Sequence, residues 1–209
     1  VKMAPEPQGC TIRAAERYGT DLRLLCLSGL TLVTIGNIQM TDITIRPARS
    51  EHLAALRAIE LAAFETLRQA GAVSGAPVAN SLDALHQLCR EGVLLVAFAP
   101  GDIPVGFAGA EIRENWLHIA EADVHPDWQR QGVGRRLMHA LLAEGKARGL
   151  NGASLTTDRN APFNAPFYTS LGFAIVEGNA ISPRLKALLA AETLAGLDPK
   201  RRVAMQLCY

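Results

Sequence analysis

The sequence predicts an α/β (α+β) domain with a central mixed, mostly antiparallel sheet flanked by helices. Three observations lead there. Val93–Phe98 and Val105–Ile112 are apolar runs separated by the turn residues Pro100, Gly101 and Asp102, the pattern of a β-hairpin. Segments with apolar residues at helical spacing are interspersed among such strands without alternating one for one, which favours a mixed sheet over a purely parallel one. The chain of 209 residues is 49% hydrophobic with a formal net charge of +1, the profile of a globular protein long enough to bury one sizeable core.

Residues 1–39 stand apart. They carry Pro5 and Pro7, then an apolar run from Leu24 to Ile35 preceded by Arg17 and Arg23. That run is too short for a membrane span, which needs roughly 20 residues. It resembles a poor signal-peptide core, but no small-residue cleavage site follows. We read 1–39 as an N-terminal extension, disordered or a mis-assigned start, with Met40 as the natural beginning of a single domain over 40–209.

From Thr41 the signals become regular. Asp42–Arg46 alternates polar and apolar residues and stops at Pro47, a short strand. Leu53, Leu56, Ile59, Ala63, Phe64 and Leu67 recur at helical spacing behind Ser50, a candidate N-cap. Residues 70–80 form a loop of small residues, and Ser81 caps a second helix with Leu82, Leu85, Leu88 and Cys89 on one face. After the hairpin, Trp116–Val124 makes a further strand. A helix then places Val133, Leu137, Ala140, Leu141 and Glu144 along one side and stops at Gly149. Ala153–Thr157 is a strand, Asn164–Leu171 a short helix with Pro166 in its first turn and Gly172 as its stop, and Phe173–Glu177 a strand. Ser182 and Pro183 open a helix through Leu194, and Arg202–Leu207 closes the chain as a strand.

Composition also excludes classes. A nearly balanced charge argues against a nucleic-acid partner. Cys10, Cys26, Cys89 and Cys208 are scattered, with no pair at metal-ligand spacing, so free thiols in a reducing cytoplasm are expected, with no metal and no membrane partner.

The chemistry concentrates at one turn. Gln129-Arg130-Gln131-Gly132-Val133-Gly134-Arg135 follows the strand ending at Val124 and opens a helix. A helix N-terminus presents unpaired N–H groups and the positive end of its dipole, and glycine lets an anion approach that backbone. No Gly-Lys-Ser/Thr follows, so it is not a P-loop, and Leu137 stands where a dinucleotide fingerprint needs glycine.

Val124-His125-Pro126, the glycine turn, and then Asn164-Ala165-Pro166-Phe167-Tyr168 with Leu171-Gly172-Phe173 resemble, in that order, the motifs of the GNAT-type acyl-CoA N-acyltransferases. The resemblance covers about residues 40–209. It implies acetyl-CoA as donor and a primary amine as acceptor, a monomer or homodimer, and a pyrophosphate cradle made of the backbone N–H groups of Gln131 to Arg135. It also implies that the strand end at Val124 pairs with pantetheine amides, and that Gln129, Arg130 and Asn164 serve the cofactor. Tyr168 stands at the family's acid position; packing against the core beside Phe167 is its alternative role. Asn164 either bonds the cofactor or caps its helix.

The base has three candidates. Glu121 lies on the strand leading to the turn, where desolvation would raise its pKa towards neutrality. His118, three residues away, is expected on the opposite face of that strand, so only one of the two should face the site. Direct deprotonation by water is the third. Asp123 is expected to be solvated or to support the turn. The absence of cysteine near these motifs argues against a covalent acyl-enzyme. The acceptor-side segments implied by the resemblance, namely 70–80, the first two helices and 178–184, show no carboxylate cluster, which disfavours a polycationic acceptor. A non-catalytic acyl-CoA-binding or regulatory domain is the competing class; it would need the cradle but neither Tyr168 nor Glu121.

Overall fold

Seven strands join into one sheet in the order β1-β2-β3-β4-β5-β7-β6. They are β1 (Thr44–Pro47), β2 (Val93–Ala99), β3 (Ile103–Arg113), β4 (Trp116–Val124), β5 (Gly152–Asp158), β6 (Ala174–Val176) and β7 (Arg202–Cys208). Among the described residues five α-helices flank them: α1 (Leu53–Gln69), α2 (Leu82–Glu91), α3 (Val133–Ala147), α4 (Ala165–Thr169) and α5 (Pro183–Leu194). This computed structural model describes residues 42–209, and Ile43–Tyr209 make one compact unit; the expectations for residues 1–39 lie outside the described residues. Every ladder is antiparallel except β4–β5.

The two faces of the sheet carry separate cores. Ala97, Ala108, Leu117, Ile119 and Leu155 pack with Leu137, Met138 and Leu141 of α3. On the other side Leu94, Val96, Phe98 and Phe107 meet Leu53, Leu56 and Ile59 of α1 and Leu85 of α2. Each large side chain so enclosed contributes about 1.5–3 kcal/mol relative to exposure. α5 lies on the α1/α2 side, since Thr156 donates to Glu192 Oε1 and Arg184 reaches Ser154 Oγ at 3.0 Å.

Three local expectations change. Pro47 belongs to β1, paired with Leu95, because β1 is an edge strand where a missing N–H costs little. Ser50 does not cap α1: it opens a 3-10 turn, Ser50–His52, in which His52 Nδ1 accepts the amide of Arg49 at 3.0 Å. The buried stripe of α3 is Val133, Leu137, Met138, Leu141, Leu142 and Gly145, leaving Ala140 and Glu144 at its margin. Gly145 leaves room for the Tyr209 ring, which a Cβ there would push aside while also pressing on Leu117. Ser81 and Ser182 do cap α2 and α5, accepting from Ala84 and Leu185.

Candidate active site

Two irregularities open the sheet. The parallel β4–β5 ladder contains only Leu117↔Ala153 and His118↔Ser154; beyond it both strands continue unpaired with each other. The β3–β4 register shifts at the same point: Gly109 pairs with Glu121 and Ala110 with Ile119, so Ala120 is an extra residue. A bulge bends its strand and redirects the side chains after it. The ends of β4 and β5 therefore leave a cleft with an unladdered β4 edge.

The same bulge corrects the expectation that His118 and Glu121 face opposite ways. One inserted residue restores parity, so both project to the α1/α2/α5 side while Ile119 packs under α3. His118 is buried and bonded to Ser154 Oγ at 3.2 Å; burial and the charge of Arg184 push its pKa down to about 4, leaving the imidazole neutral. Glu121 instead faces Asn80 across a cavity of about 140 Å³, lined also by Leu88, Glu111 and Arg113. Burial, opposed by Asn80 and reinforced by Glu60, raises its pKa to about 7.

Asp123, expected to be solvated or to support the turn, is half-buried near the end of β4. Burial, then Glu121 and Glu60, hold its carboxyl well above the usual range. Three carboxyl groups thus converge from two elements, Glu60 on α1 and Glu121 and Asp123 on β4. Only Glu60 belongs to the segments on which no carboxylate cluster was expected; Glu121 and Asp123 lie on β4. Glu60 carried no recognisable signal, because a glutamate in an amphipathic helix ordinarily marks the solvated side. Asn80 at the end of a small-residue loop looked like a turn residue for similar reasons.

The turn expected to cradle a pyrophosphate lies at the start of α3. A 3-10 turn, Pro126–Trp128, leads out of β4, and Arg130 (φ 62°) and Gly132 (φ 81°) take left-handed conformations around Gln131. The first main-chain bond of the helix runs from Arg136 N to Gly132 O at 3.1 Å. The amides of Gln131, Gly132, Val133, Gly134 and Arg135 are therefore the unclaimed N–H groups that an anion would use. Gly134 sits against Val124 and Phe167, which would be 3.7 and 3.9 Å from an added Cβ, so β4, α3 and α4 meet here.

The side chains around this turn brace it. Gln129 donates to Val124 O at 2.9 Å and accepts from Thr66 of α1 at 3.3 Å, tying the strand end to α1. Gln131 bonds back to Asp127 O. The guanidinium of Arg135 lies on Ser170 Oγ at 2.8 Å and near the Phe167 ring, and that of Arg136 reaches Ile43 O at 2.6 Å. Arg135 thus locks α3 to α4, the element that carries Tyr168. Asn164 takes the N-cap position of α4 without making a side-chain cap bond, so its capping role is not realised.

Tyr168 is partly buried, with its ring edge-on to Phe167 at 5.3 Å and Phe173 at 5.8 Å. Its hydroxyl feels burial first, then the charges of Asp123 and Glu121, all raising its pKa beyond that of an ordinary phenol. It is a firmly protonated donor. The expected packing role is met, since the ring lies on the core, and the hydroxyl feels the charges of the β4 carboxylates. Cys89 is remote from this set, donating to Ala48 O at 3.4 Å, and Cys208 ends β7.

Comparison with known proteins extends this picture. A mycothiol acetyltransferase from Thermobifida fusca is 34% identical over 93 residues, covering 43% of this chain and 29% of that protein, so the chain spans under a third of that relative's length. Among solved structures, Ard1 from Thermoplasma volcanium superposes with a TM-score of 0.59 at 20% identity, covering 80% of this chain and 97% of the other. The PaiA N-acetyltransferase from Thermoplasma acidophilum, solved in complex with coenzyme A, gives 0.57 at 17% identity with 80% and 99% covered. These two share the fold. Residues 55–173, more than half of the chain, match the model of the acetyltransferase (GNAT) family, and the chain belongs to that family.

Proposed function

We propose that this protein transfers an acetyl group from acetyl-CoA to a primary amine by direct attack within a ternary complex. The observation that carries this reading is the pairing of Glu121, whose carboxyl titrates near pH 7, with the firmly protonated Tyr168 beside the cradle of Gln131 to Arg135. The unclaimed amides suit a pyrophosphate, and the unladdered β4 edge at Val124 suits the amides of an extended pantetheine arm. Gln129 keeps that edge in place, Arg130 supplies the left-handed turn, and the uncommitted side chain of Asn164 is available to the cofactor.

The chemistry follows from these groups. An ammonium cannot attack until it loses a proton, and a base poised near the working pH takes it best. Glu121 serves; His118, neutral and held by Ser154, titrates too low to compete. The freed nitrogen attacks the thioester carbonyl, the carbon–sulfur bond breaks, and Tyr168 gives its proton to the departing thiolate. Glu121 passes the first proton to solvent, and the second proton shed by the nitrogen returns through solvent to the Tyr168 oxygen, restoring both groups. Acetyl-CoA and ammonium thus become amide, free thiol and one proton.

The proposal places the protein in the cytoplasm, as a monomer or homodimer with no nucleic-acid, membrane or metal partner. Thermal shift with acetyl-CoA tests binding, and thiol release on adding amines tests transfer. Binding without thiol release for any amine would instead support an acyl-CoA-binding domain.

A further inference from the structure

We propose that the last turn of α1 is a crossbar that holds the β4–β5 cleft at the width of the donor's arm, with Thr66 and Arg201 as its positioning residues on the two sides. This inference rests on the acetyl-transfer reading above and adds the residues that fix the donor's seat.

β4 and β5 part where their ladder stops at His118↔Ser154, and past that point no ladder bond sets their spacing. On the β4 side, the amide of His125 donates to Val105 O at 2.9 Å, so the main-chain groups of His125 face β3. These groups alternate along a strand, so Val124 O points the other way, into the cleft. Gln129 Nε2 donates to that carbonyl at 2.9 Å, and Thr66 Oγ1 of α1 donates to Gln129 Oε1 at 3.3 Å.

On the other side β5 ends at Asp158, which is 1% exposed. Its Oδ1 accepts the amides of Asn160 and Ala161, each at 2.8 Å, and its Oδ2 accepts Arg201 Nε at 2.6 Å. The same guanidinium donates from Nη2 to Ala70 O at 3.2 Å, at the C-terminal cap of α1. Carbonyls at a helix C-terminus lack helical partners and sit at the negative end of the dipole, so a cation complements them. Arg201 thus ties β5 to α1 through two nitrogens of one planar fork.

Thr66 and Ala70 stand at i and i+4, so they share one face of α1 with about 5–6 Å between their Cβ atoms. Both strand ends are therefore fastened to neighbouring points of a single helical turn. Paired strands lie about 4.8 Å apart, so a cleft that takes an extended arm between two edges needs roughly twice that spacing. Left without support, two edges with unpaired main-chain groups would close on each other or splay. The crossbar keeps them at a fixed span, and the pantetheine amides meet Val124 without first rearranging the sheet. Preorganisation of this kind removes a cost that binding would otherwise bear. Cutting either tie releases the span, so the two ties act as one device.

The test uses two variants that spare the buried groups. Arg201→Lys keeps a cation for Asp158, but its ammonium ends where the guanidinium carbon stands and stops short of Ala70 O. Thr66→Val removes the hydroxyl at nearly constant size and leaves Gln129 on Val124. Calorimetry measures acetyl-CoA and, separately, phosphoadenosine diphosphate, the nucleotide part of the coenzyme without its pantetheine arm. Each variant should bind acetyl-CoA about threefold to tenfold more weakly and keep its affinity for the nucleotide within about twofold. The double variant should bind acetyl-CoA within about twofold of the weaker single variant, because the span is already released. Unchanged acetyl-CoA affinity in either single variant, an equal loss of both ligands, or fully additive losses in the double variant overturns the crossbar. Failure of the wild type to release thiol with any amine, while it still binds acetyl-CoA, overturns the acetyl-transfer reading and leaves these binding outcomes to decide the crossbar.

Discussion

His118 and Glu121 lie on the same face of β4 although three residues separate them in sequence, because Ala120 is an extra residue in the β3–β4 ladder. The bulge does two things at once. It ends the pairing with β5 and it turns Glu121 towards Asn80 and Glu60. Deleting Ala120 would leave Glu121 on the His118 face, now two positions away in an unbroken ladder, but would remove the bend that parts β4 from β5 and so close the cleft. Such a protein should lose turnover and acetyl-CoA binding together, read by thiol release and calorimetry, even where circular dichroism shows a retained fold.

Glu121 should govern the pH dependence of the reaction. With a folded pKa of about 7, kcat/KM should rise with pH through that value and flatten above it. Glu121→Gln should remove that limb and lower kcat by a factor of about 10²–10⁴. The stability effect has the opposite sign. A carboxyl whose pKa rises from 4.5 to about 7 on folding costs nothing below the lower value and its full penalty above the upper one. Glu121→Gln should therefore be more stable than wild type at pH 8, by roughly 1–3 kcal/mol, in urea unfolding.

His118 should act on stability and not on the rate profile. Its pKa falls from 6.5 to about 4, so the native state resists protonation that the unfolded chain accepts. Wild-type stability should decline as pH drops from 6.5 towards 4. In His118→Leu that acid-side slope should flatten, while the limb of kcat/KM near pH 7 persists. A lost limb in this variant would transfer the base role to His118.

Tyr168→Phe should lower kcat while leaving acetyl-CoA affinity within about twofold, because the ring contacts with Phe167 and Phe173 survive and only the proton is removed. The deficit should shrink with a thioester whose leaving thiol is more acidic. Equal turnover with the ordinary donor would remove Tyr168 from the acid role.

The two cradle glycines should fail differently. Gly132 sits at φ 81°, so Gly132→Ala should cost about 1–2 kcal/mol of stability through backbone strain. A Cβ at Gly134 meets only ordinary contacts, at 3.7 and 3.9 Å. Gly134→Val should thus stay folded and lose acetyl-CoA affinity, about tenfold, because its branches crowd the approach to the amides. Calorimetry on both variants separates the two effects.

Much of the architecture was legible along the chain, because strands and helices of this domain announce themselves through local periodicity. The alternation from Asp42, the apolar pair around Gly101, and the serines before α2 and α5 each report a short-range force. The cradle was legible for the same reason: an N-terminal helical turn and its glycines are contiguous, from Gln129 to Arg135. Tyr168 and Glu121 could be named from position and neighbours. Tertiary structure decided everything that depends on register or on residues far apart. A single inserted residue reverses the facing of all that follows it, which no count along Trp116–Val124 reveals. Arg135 reaches across 35 residues to Ser170, and Glu60 of α1 and Asn80 of the following loop join Glu121 and Asp123 of β4. The sequence by itself determined a glycine-bearing turn opening a helix, on a mixed sheet. Burial, which exists only once distant segments pack, decided which carboxyls lose their water.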